Sequence, residues 1–375
     1  MLCIDWFAPG YKAGGPISSC VNFVKGLEDV FELYVFTTNT DLGETQPYPG
    51  IPANQWLPFS KATSVYYCSQ DRLSVREIKR QIQHISPDYL YLNSLFSVHF
   101  TLLPLLLYKF GQIRSDIILA PRGMLRESAL RYKARKKQLF LALARSFQLY
   151  KGVRFHATDE QELKDIQTLL PQVTDIHLIA NLAKSAADDY LPIVKQAQEV
   201  RCVFIGRIHP IKNLLFFLQV LQRVTAFQVD FTIIGNLEDE AYWQDCQQVI
   251  QQLPAHVRVQ YLGGVPGDAI AGYLQQHHFM LLPTQGENFG HAIFESFLVG
   301  RPVIISDQTP WRHLAEQQVG FDLPLQDAQC WLSALQTAAA MSQETYDEWA
   351  QAALQYARQY IASSGTKAKY VQLFS

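Results

Sequence analysis

The chain has almost no net charge. Its 375 residues hold 32 Lys and Arg against 34 Asp and Glu, a formal −2. That balance gives whole-chain electrostatics no argument for nucleic acid as a partner. Cysteine is sparse and unpatterned. The six thiols (Cys3, Cys20, Cys68, Cys202, Cys246, Cys330) include no C-x-x-C pair, which speaks against a zinc site or redox motif. Free thiols in a reducing cytosol are the simplest reading. No apolar run approaches the roughly 20 residues a bilayer span needs. The most apolar segment, Phe100–Phe110, is broken by Pro104. The start, MLCIDWFAPG, is too short and too acidic for a signal peptide. The expected location is therefore cytoplasmic, at most peripheral on the inner face of the plasma membrane. No G-x-G-x-x-G follows the first strand pattern, so a dehydrogenase is disfavoured.

What is present is apolar residues in quantity, 48% of the chain with 12% aromatic. A chain of this length and composition buries more than one core and is not disordered. Apolar β-branched runs alternate with helical patterns. In the first half these are MLCIDWF, ISSCVNFVKGL, FELYVFTT, SVREIKRQIQHI, DYLYLNS, DIILAPRG, a long helix from about Arg126 to Leu149, VRFHATD, EQELKDIQTLL and DIHLIAN. The alternation restarts at VRCVFIG and continues through NLLFFLQVLQRV, VDFTIIG, DEAYWQDCQQVIQQL, VRVQYLG, DAIAGYLQQ, HFMLLPT and PVIISD. Such alternation predicts an α/β fold with parallel sheets covered by helices on both faces. Two series joined near Asn181–Val200 predict two Rossmann-like domains facing a central cleft. The expected domains are 1–182 and 183–355, with 356–375 a C-terminal helix returning to the first. In such sheets ligands sit beyond the carboxyl ends of the strands, so the loops there are the places to look.

Three loops stand out. APGYKAGGPISS leaves the first strand and passes Gly14, Gly15 and Pro16 into a helix. Paired glycines let backbone approach a ligand, and the helix start attracts anions; an ordinary tight turn fits equally. In FIGRIHPIKN, Gly206 ends a strand, Arg207 follows and Lys212 opens the next helix. Two cations there suit a diphosphate, although either alone also fits a solvated surface charge. In PTQGENFGHAIFESFLVG, Glu287 and Glu295 frame Asn288-Phe289-Gly290. Acceptor-only carboxylates suit vicinal hydroxyls, and the backbone N–H groups at Phe289–Gly290 suit phosphate or hydroxyl oxygens. Taken singly, Glu287 also reads as a helix-dipole residue and Glu295 as an exposed helix residue.

Together the three loops resemble the retaining, two-Rossmann-domain (GT-B) glycosyltransferases of the glycosyl transferase group 1 type, family four. The marks are Gly14-Gly15, Gly206-Arg207 with Lys212, and the E-x7-E pair with NFG inside. Phe155–Glu162 (FHATDEQE) and Asn181 resemble weaker landmarks. The resemblance implies a nucleotide-sugar donor held mainly by the C-terminal domain. Arg207 and Lys212 would neutralise its diphosphate, Glu295 would grip the ribose, and Glu287 with the backbone of Asn288–Gly290 would orient the sugar. Gly14–Gly15 would close on the phosphates. The chain has no Asp-x-Asp, so the cations are expected to replace a metal, each contributing about 3 kcal/mol to stabilising the leaving diphosphate. No metal and no cofactor beyond the donor is expected.

Many relatives carry a Pro-His-Gly turn beside the donor sugar; here APRGM puts Arg122 in the nearest match. Arginine is no base at neutral pH but binds phosphate. Arg122 is therefore read as a donor or acceptor phosphate contact, or as a structural turn residue. Trp311, in TPWRHL, either stacks on a base or packs. From Arg122 to Arg154 ten Lys/Arg face one acid, Glu127. Arg131, Arg135, Lys136 and Lys137 cluster before an apolar stripe of Leu139, Phe140, Leu143 and Phe147. Such a helix touches anionic lipid or a lipid diphosphate, or packs its stripe on its own sheet. The acceptor implied by the resemblance is a glycan or lipid-linked glycan of bacterial surface-polysaccharide synthesis. Rival readings are a GT-B-shaped nucleotide-sugar epimerase and a non-catalytic sugar-nucleotide-binding protein.

Overall fold

The computed structural model describes residues 1–126, 129–130, 134–184 and 190–375. Glu127 and Arg131 of the basic segment, and the whole SAADD stretch of the linker, lie outside the described residues. The chain forms two compact units, Met1–Leu182 with Gly365–Ser375, and Ala183–Ser364.

In the first unit an eight-stranded sheet is described, built from β1 (Leu2–Cys3), β2 (Leu33–Thr38), β3 (Trp56–Ser60), β4 (Thr63–Cys68), β5 (Tyr89–Asn93), β6 (Asp116–Ala120), β7 (Arg154–Ala157) and β8 (Ile176–Leu178). Their order is β3-β4-β2-β1-β5-β6-β7-β8. All pairs are parallel except β3 with β4. The β3–β4 hairpin is absent from the sequence expectation. Pro58 explains why: it interrupts the apolar pattern and is tolerated on β3 as an edge strand. β1 is shorter than MLCIDWF, because the Asp5 carbonyl turns to accept the hydroxyls of Thr37 (3.1 Å) and Thr38 (2.5 Å) and the chain leaves the sheet.

Helices α1 (Gly15–Leu27), α2 (Val75–Ile85), α3 (Leu103–Lys109), α4 (Ala134–Ser146) and α5 (Glu160–Leu169) flank this sheet. α2 starts at a Ser74 cap, whose hydroxyl accepts the Glu77 N–H at 3.3 Å. Of the long helix expected over 126–149, the described helical core is α4.

In the second unit β9 (Glu199–Ile205), β10 (Gln228–Ile234), β11 (Val257–Tyr261), β12 (Phe279–Leu282), β13 (Val303–Ser306) and β14 (Gly320–Leu323) form a wholly parallel sheet in the order β11-β10-β9-β12-β13-β14. Renumbered from β9, that is the doubly wound order 3-2-1-4-5-6. The order of strand addition reverses between β9 and β12, and a ligand crevice is expected beyond their carboxyl ends. The central strands β9 and β12 bury Val203, Phe204, Met280 and Leu281 fully, as a sheet covered on both faces requires. The covering helices are α6 (Leu214–Leu221), α7 (Glu240–Ile250), α8 (Ile270–Gln275), α9 (His291–Leu298), α10 (Ala328–Ala340) and α11 (Gln343–Ser363).

α11 runs through the expected division at residue 355 and ends before Gly365, whose φ of 55° breaks it. The segment grouped with the first unit is therefore Gly365–Ser375, carrying α12 (Thr366–Leu373). Tyr370 packs edge-on against Phe23 and His156, and Phe374 against Phe23, Phe31, Tyr89 and Tyr91.

Candidate functional site

The strongest cluster of expected residues lies at the switch point of the second sheet. β9 ends in Gly206, and Arg207 follows. The next turn, Pro210–Lys212, is opened by His209, whose Nδ1 accepts the Ile211 N–H at 3.2 Å. Asn213, at φ 56°, then starts α6 at Leu214. Lys212 thus closes a short turn before the helix rather than opening the helix itself. From the neighbouring strand β12 the loop 283–290 crosses to meet this turn. The Gln285 N–H and the Thr284 hydroxyl both donate to the Ile211 carbonyl, at 2.8 and 3.2 Å. That clamp brings Lys212 Nζ and Glu287 Oε1 into an ion pair with side chains only 16% and 13% exposed. Two residues 75 apart in sequence are joined by strand order alone.

Arg207 finds a partner that the sequence reading missed. Its Nη1 donates to Glu238 Oε2 at 2.5 Å. Glu238 sits just past β10, and the N–H groups of Glu238 and Asp239 both donate to the Ile208 carbonyl, so the two strand exits are laced together. The lacing needs glycine: a Cβ on Gly235 would lie 1.8 Å from the Gly206 carbonyl oxygen. The signal was in the sequence, where β9, β10 and β11 each run into glycine as FIG, IIG and YLGG.

Gly290 caps α9 at φ 77°, where a Cβ would also meet Ile293 Cδ1 at 2.7 Å. The Phe289 side chain is buried, 5.3 Å from the Trp311 ring, so its contribution at a ligand is through backbone. Trp311 is itself buried, stacked on Phe294, and its indole N–H donates to the Phe289 carbonyl at 2.5 Å. It packs and does not present a face for a base. Glu295, half-buried on α9, lies within reach of the Lys184 charge. Burial pushes its pKa up to about 7, against the pull of the Lys184 charge.

Gly14, Gly15 and Arg122 belong to the first unit. Gly14 caps α1 at φ 66° with open space where its Cβ would be, and Gly15 is exposed. Arg122 follows β6 at φ 55° and is gripped on three sides. Its Nε donates to Asn93 at 2.5 Å, Nη1 to Asn181, and Nη2 to the Tyr91 hydroxyl at 2.9 Å. His156 Nε2 lies 2.7 Å from the Ile179 carbonyl and so carries the proton. Its Nδ1 then accepts from Tyr91 at 2.6 Å. Burial lowers the His156 pKa to about 3, with the Arg122 charge adding to it. Burial works against the Arg122 charge too, but Tyr91, Tyr370, Cys20 and Glu162 outweigh it and raise its pKa. Glu162 accepts the Gly123 N–H and both Thr158 donors, which gives FHATDEQE its role of fixing the turn that carries Arg122.

Residues 199–340 match the family model of glycosyl transferases group 1. No curated protein matches the sequence. Among solved structures the chain is similar to sucrose-phosphate synthase from Thermosynechococcus elongatus (15% identity over 96% of this chain and 93% of that one, TM-score 0.73). It is similar to HepE from Anabaena, solved with UDP and glucose (15% identity, 99% and 98% covered, TM-score 0.69). It is also similar to WaaG, a glycosyltransferase involved in lipopolysaccharide biosynthesis (12% identity, 100% and 99% covered, TM-score 0.65). These likenesses establish the GT-B fold.

Proposed function

We propose, from a chain whose residues 199–340 match the family model of glycosyl transferases group 1 and whose fold is GT-B, that this is a glycosyltransferase moving a sugar from a nucleoside-diphosphate sugar to a glycan or lipid-linked acceptor. The observation that carries the reading is the Lys212–Glu287 ion pair where the exits of β9 and β12 meet. A nearly buried ammonium and carboxylate hold each other in place until a ligand of opposite polarity at each end replaces the pairing. The donor's diphosphate takes Lys212, and Glu287 is released to accept from the sugar hydroxyls. Arg207, more open and held by Glu238, turns to the same diphosphate.

As the glycosidic bond breaks, negative charge gathers on the diphosphate, and fixed cations stabilise it there at no reorganisation cost. The transfer is read as metal-independent for that reason. Glu295 meets the ribose; its protonatable carboxyl can donate as well as accept near neutral pH. Asn288–Gly290 contribute backbone N–H groups. Retention of anomeric configuration and a place in surface-polysaccharide synthesis follow from the resemblance.

The test is a thermal-shift screen of UDP-, GDP-, ADP- and CMP-sugars with EDTA present, since a ligand of the native state raises its stability. One of the diphosphate sugars is expected to raise the melting temperature. A shift that requires added metal defeats the metal-independent reading. No shift with any of them, with or without metal, defeats the transferase reading.

A further inference from the structure

A parallel sheet covered by helices is apolar on both faces. The second sheet departs from that on one flank. On one face β10 presents Phe231 and Ile233 and β11 presents Val257, all buried. On the other face, one residue out of step, β10 presents Asp230 and Thr232, and β11 presents Arg258 and Gln260. The register carries the polar row onto β9, where Arg201 stands beside Asp230. Arg258 and Gln260 are exposed, and Arg201, Asp230 and Thr232 are half-buried. The cover on this flank is α8, only six residues long. Arg201, Thr232 and Gln260 floor a groove of about 670 Å³, and Tyr273, Gln275 and His277 wall it from α8 and the turn after it.

The polar atoms of the groove have definite directions. His277 Nδ1 lies 2.7 Å from the Tyr273 carbonyl and so carries the proton. Its Nε2 then accepts from the Thr232 hydroxyl at 2.8 Å. Burial lowers the His277 pKa, so the ring stays neutral. The Thr232 oxygen is thereby left as an acceptor. Arg201 Nη2 donates to the Val194 carbonyl at 2.6 Å. Its Nη1, the carboxamides of Gln260 and Gln275 and the Tyr273 hydroxyl make no hydrogen bond among the described residues. Charge is balanced, since Glu199 lies 3.4 Å from Arg201 Nε and Asp230 lies 3.1 Å from Arg258 Nε.

We propose that this groove is a second binding site, apart from the crevice assigned to the nucleotide sugar, and that it holds a stretch of neutral glycan. A sugar hydroxyl both donates and accepts. Carboxamides, an acceptor oxygen and a guanidinium N–H at neighbouring strand positions match a row of such hydroxyls. The Tyr273 ring, with Ile193 and Leu262, gives apolar surface to the C–H face of a pyranose. The volume falls within the roughly 300–1,000 Å³ of small-ligand sites. A phosphate or nucleotide is the poorer occupant, because each arginine already has its acid. Arg201 stands five residues before Gly206, about 16 Å back along β9 from the turn that carries Lys212.

The site is independent of the transfer reaction. The experiment is calorimetric titration of the full chain with neutral trisaccharides of glucose, galactose, mannose and N-acetylglucosamine, each in turn. At least one is expected to bind, and saturating UDP or GDP should leave that binding unchanged. Gln260→Ala with Gln275→Ala removes two carboxamides that hold nothing among the described residues. The pair should weaken trisaccharide binding about tenfold or more, with the melting temperature and the nucleotide-sugar shift unchanged. Trisaccharide binding without any nucleotide-sugar shift would defeat the transferase reading and leave this site standing. Failure of all four trisaccharides to bind overturns the proposal, as does binding that survives the double substitution. So does displacement by UDP or GDP, which would put the sugar in the crevice of β9 and β12. Binding of a sulfated trisaccharide alone overturns the neutral class, and a dimer in light scattering that the double substitution breaks would make the groove a contact between copies.

Discussion

Two arginines in this molecule each stand two residues past the end of a parallel strand and have opposite fates. Arg207 follows β9 in the second unit, and Arg122 follows β6 in the first. Arg207 is 36% exposed and has one carboxylate partner at 2.5 Å. An ion pair that open contributes little to stability, about 0–1 kcal/mol, so its guanidinium is available to a better anion. Arg122 donates to two asparagines and a tyrosine whose own hydrogen is committed to His156. Every donor and acceptor in that chain has its direction fixed, and such networks specify a single arrangement. Location after a strand thus nominates an arginine for ligand work, and the fate of its N–H groups decides.

The sharpest way to break this comparison is to remove each arginine in turn. Arg207→Ala should lower kcat/KM by roughly a hundredfold or more, as losing one donor to a developing oxyanion does, with a small change in melting temperature. Arg122→Ala should do the reverse. It strands Asn93, Asn181 and Tyr91 in a buried setting and should cost about 3 kcal/mol of stability, while nucleotide-sugar binding in the protein that remains folded stays near wild type. Denaturant melts and initial rates on both variants decide it. If Arg122→Ala spares stability and removes donor binding, the contrast between the two sites collapses.

Glu295 sharpens the same contrast within the second unit, since it is the carboxylate of the E-x7-E pair that burial strains. Its pKa of about 7 lies above the ordinary 4.5, so the native state binds the extra proton. The stability this provides is full below about 4.5 and is lost as pH rises toward 7. Glu295→Gln removes the cost of an ionised carboxylate and should therefore stabilise the protein at pH 8 by about 2 kcal/mol, after allowance for partial exposure. The gap should close by pH 4.5, where both side chains are neutral. Melting curves across that window check the sign. A gap that widens toward low pH would show the carboxylate to be stabilised by partners instead.

Much of this was readable from the sequence because parallel strands are apolar on both faces and announce their ends. The alternation, the GR…K turn and the E-x7-E loop all follow from such runs. What could not be read was pairing across strands. Nothing in the spacing of Arg207 and Glu238 says that β9 and β10 are neighbours whose exits are laced, and nothing ties Lys212 to Glu287 until β12 is placed beside β9. The sequence leaves Arg122 open, as a phosphate contact or a structural turn residue, because the partners it finds, Tyr91, Asn93 and Asn181, come from other elements. The break at Gly365 was visible, since Gln343–Ser363 contains no glycine or proline; the division at 355 overlooked it.

The smallest predicted effect concerns Trp311, where one hydrogen bond can be deleted without emptying the core. Its ring lies among Phe289, Phe294, Phe297, Tyr356 and Tyr360, and its N–H holds the carbonyl of Phe289, one residue before the Gly290 cap. Trp311→Phe keeps an aromatic there and removes the donor, leaving a buried carbonyl short of a partner. The expected cost is about 1 kcal/mol of stability. The loop it releases carries Glu287, which is assigned to the sugar, so the cost to binding should fall on the sugar alone. Affinity for the nucleotide sugar should drop severalfold while affinity for the corresponding nucleoside diphosphate holds, because Lys212 and Arg207 are anchored from other strands. Calorimetric titration with both ligands separates the two contributions. Equal losses for both would mean that Trp311 supports the fold of the second unit generally, and that the position of Glu287 does not depend on it.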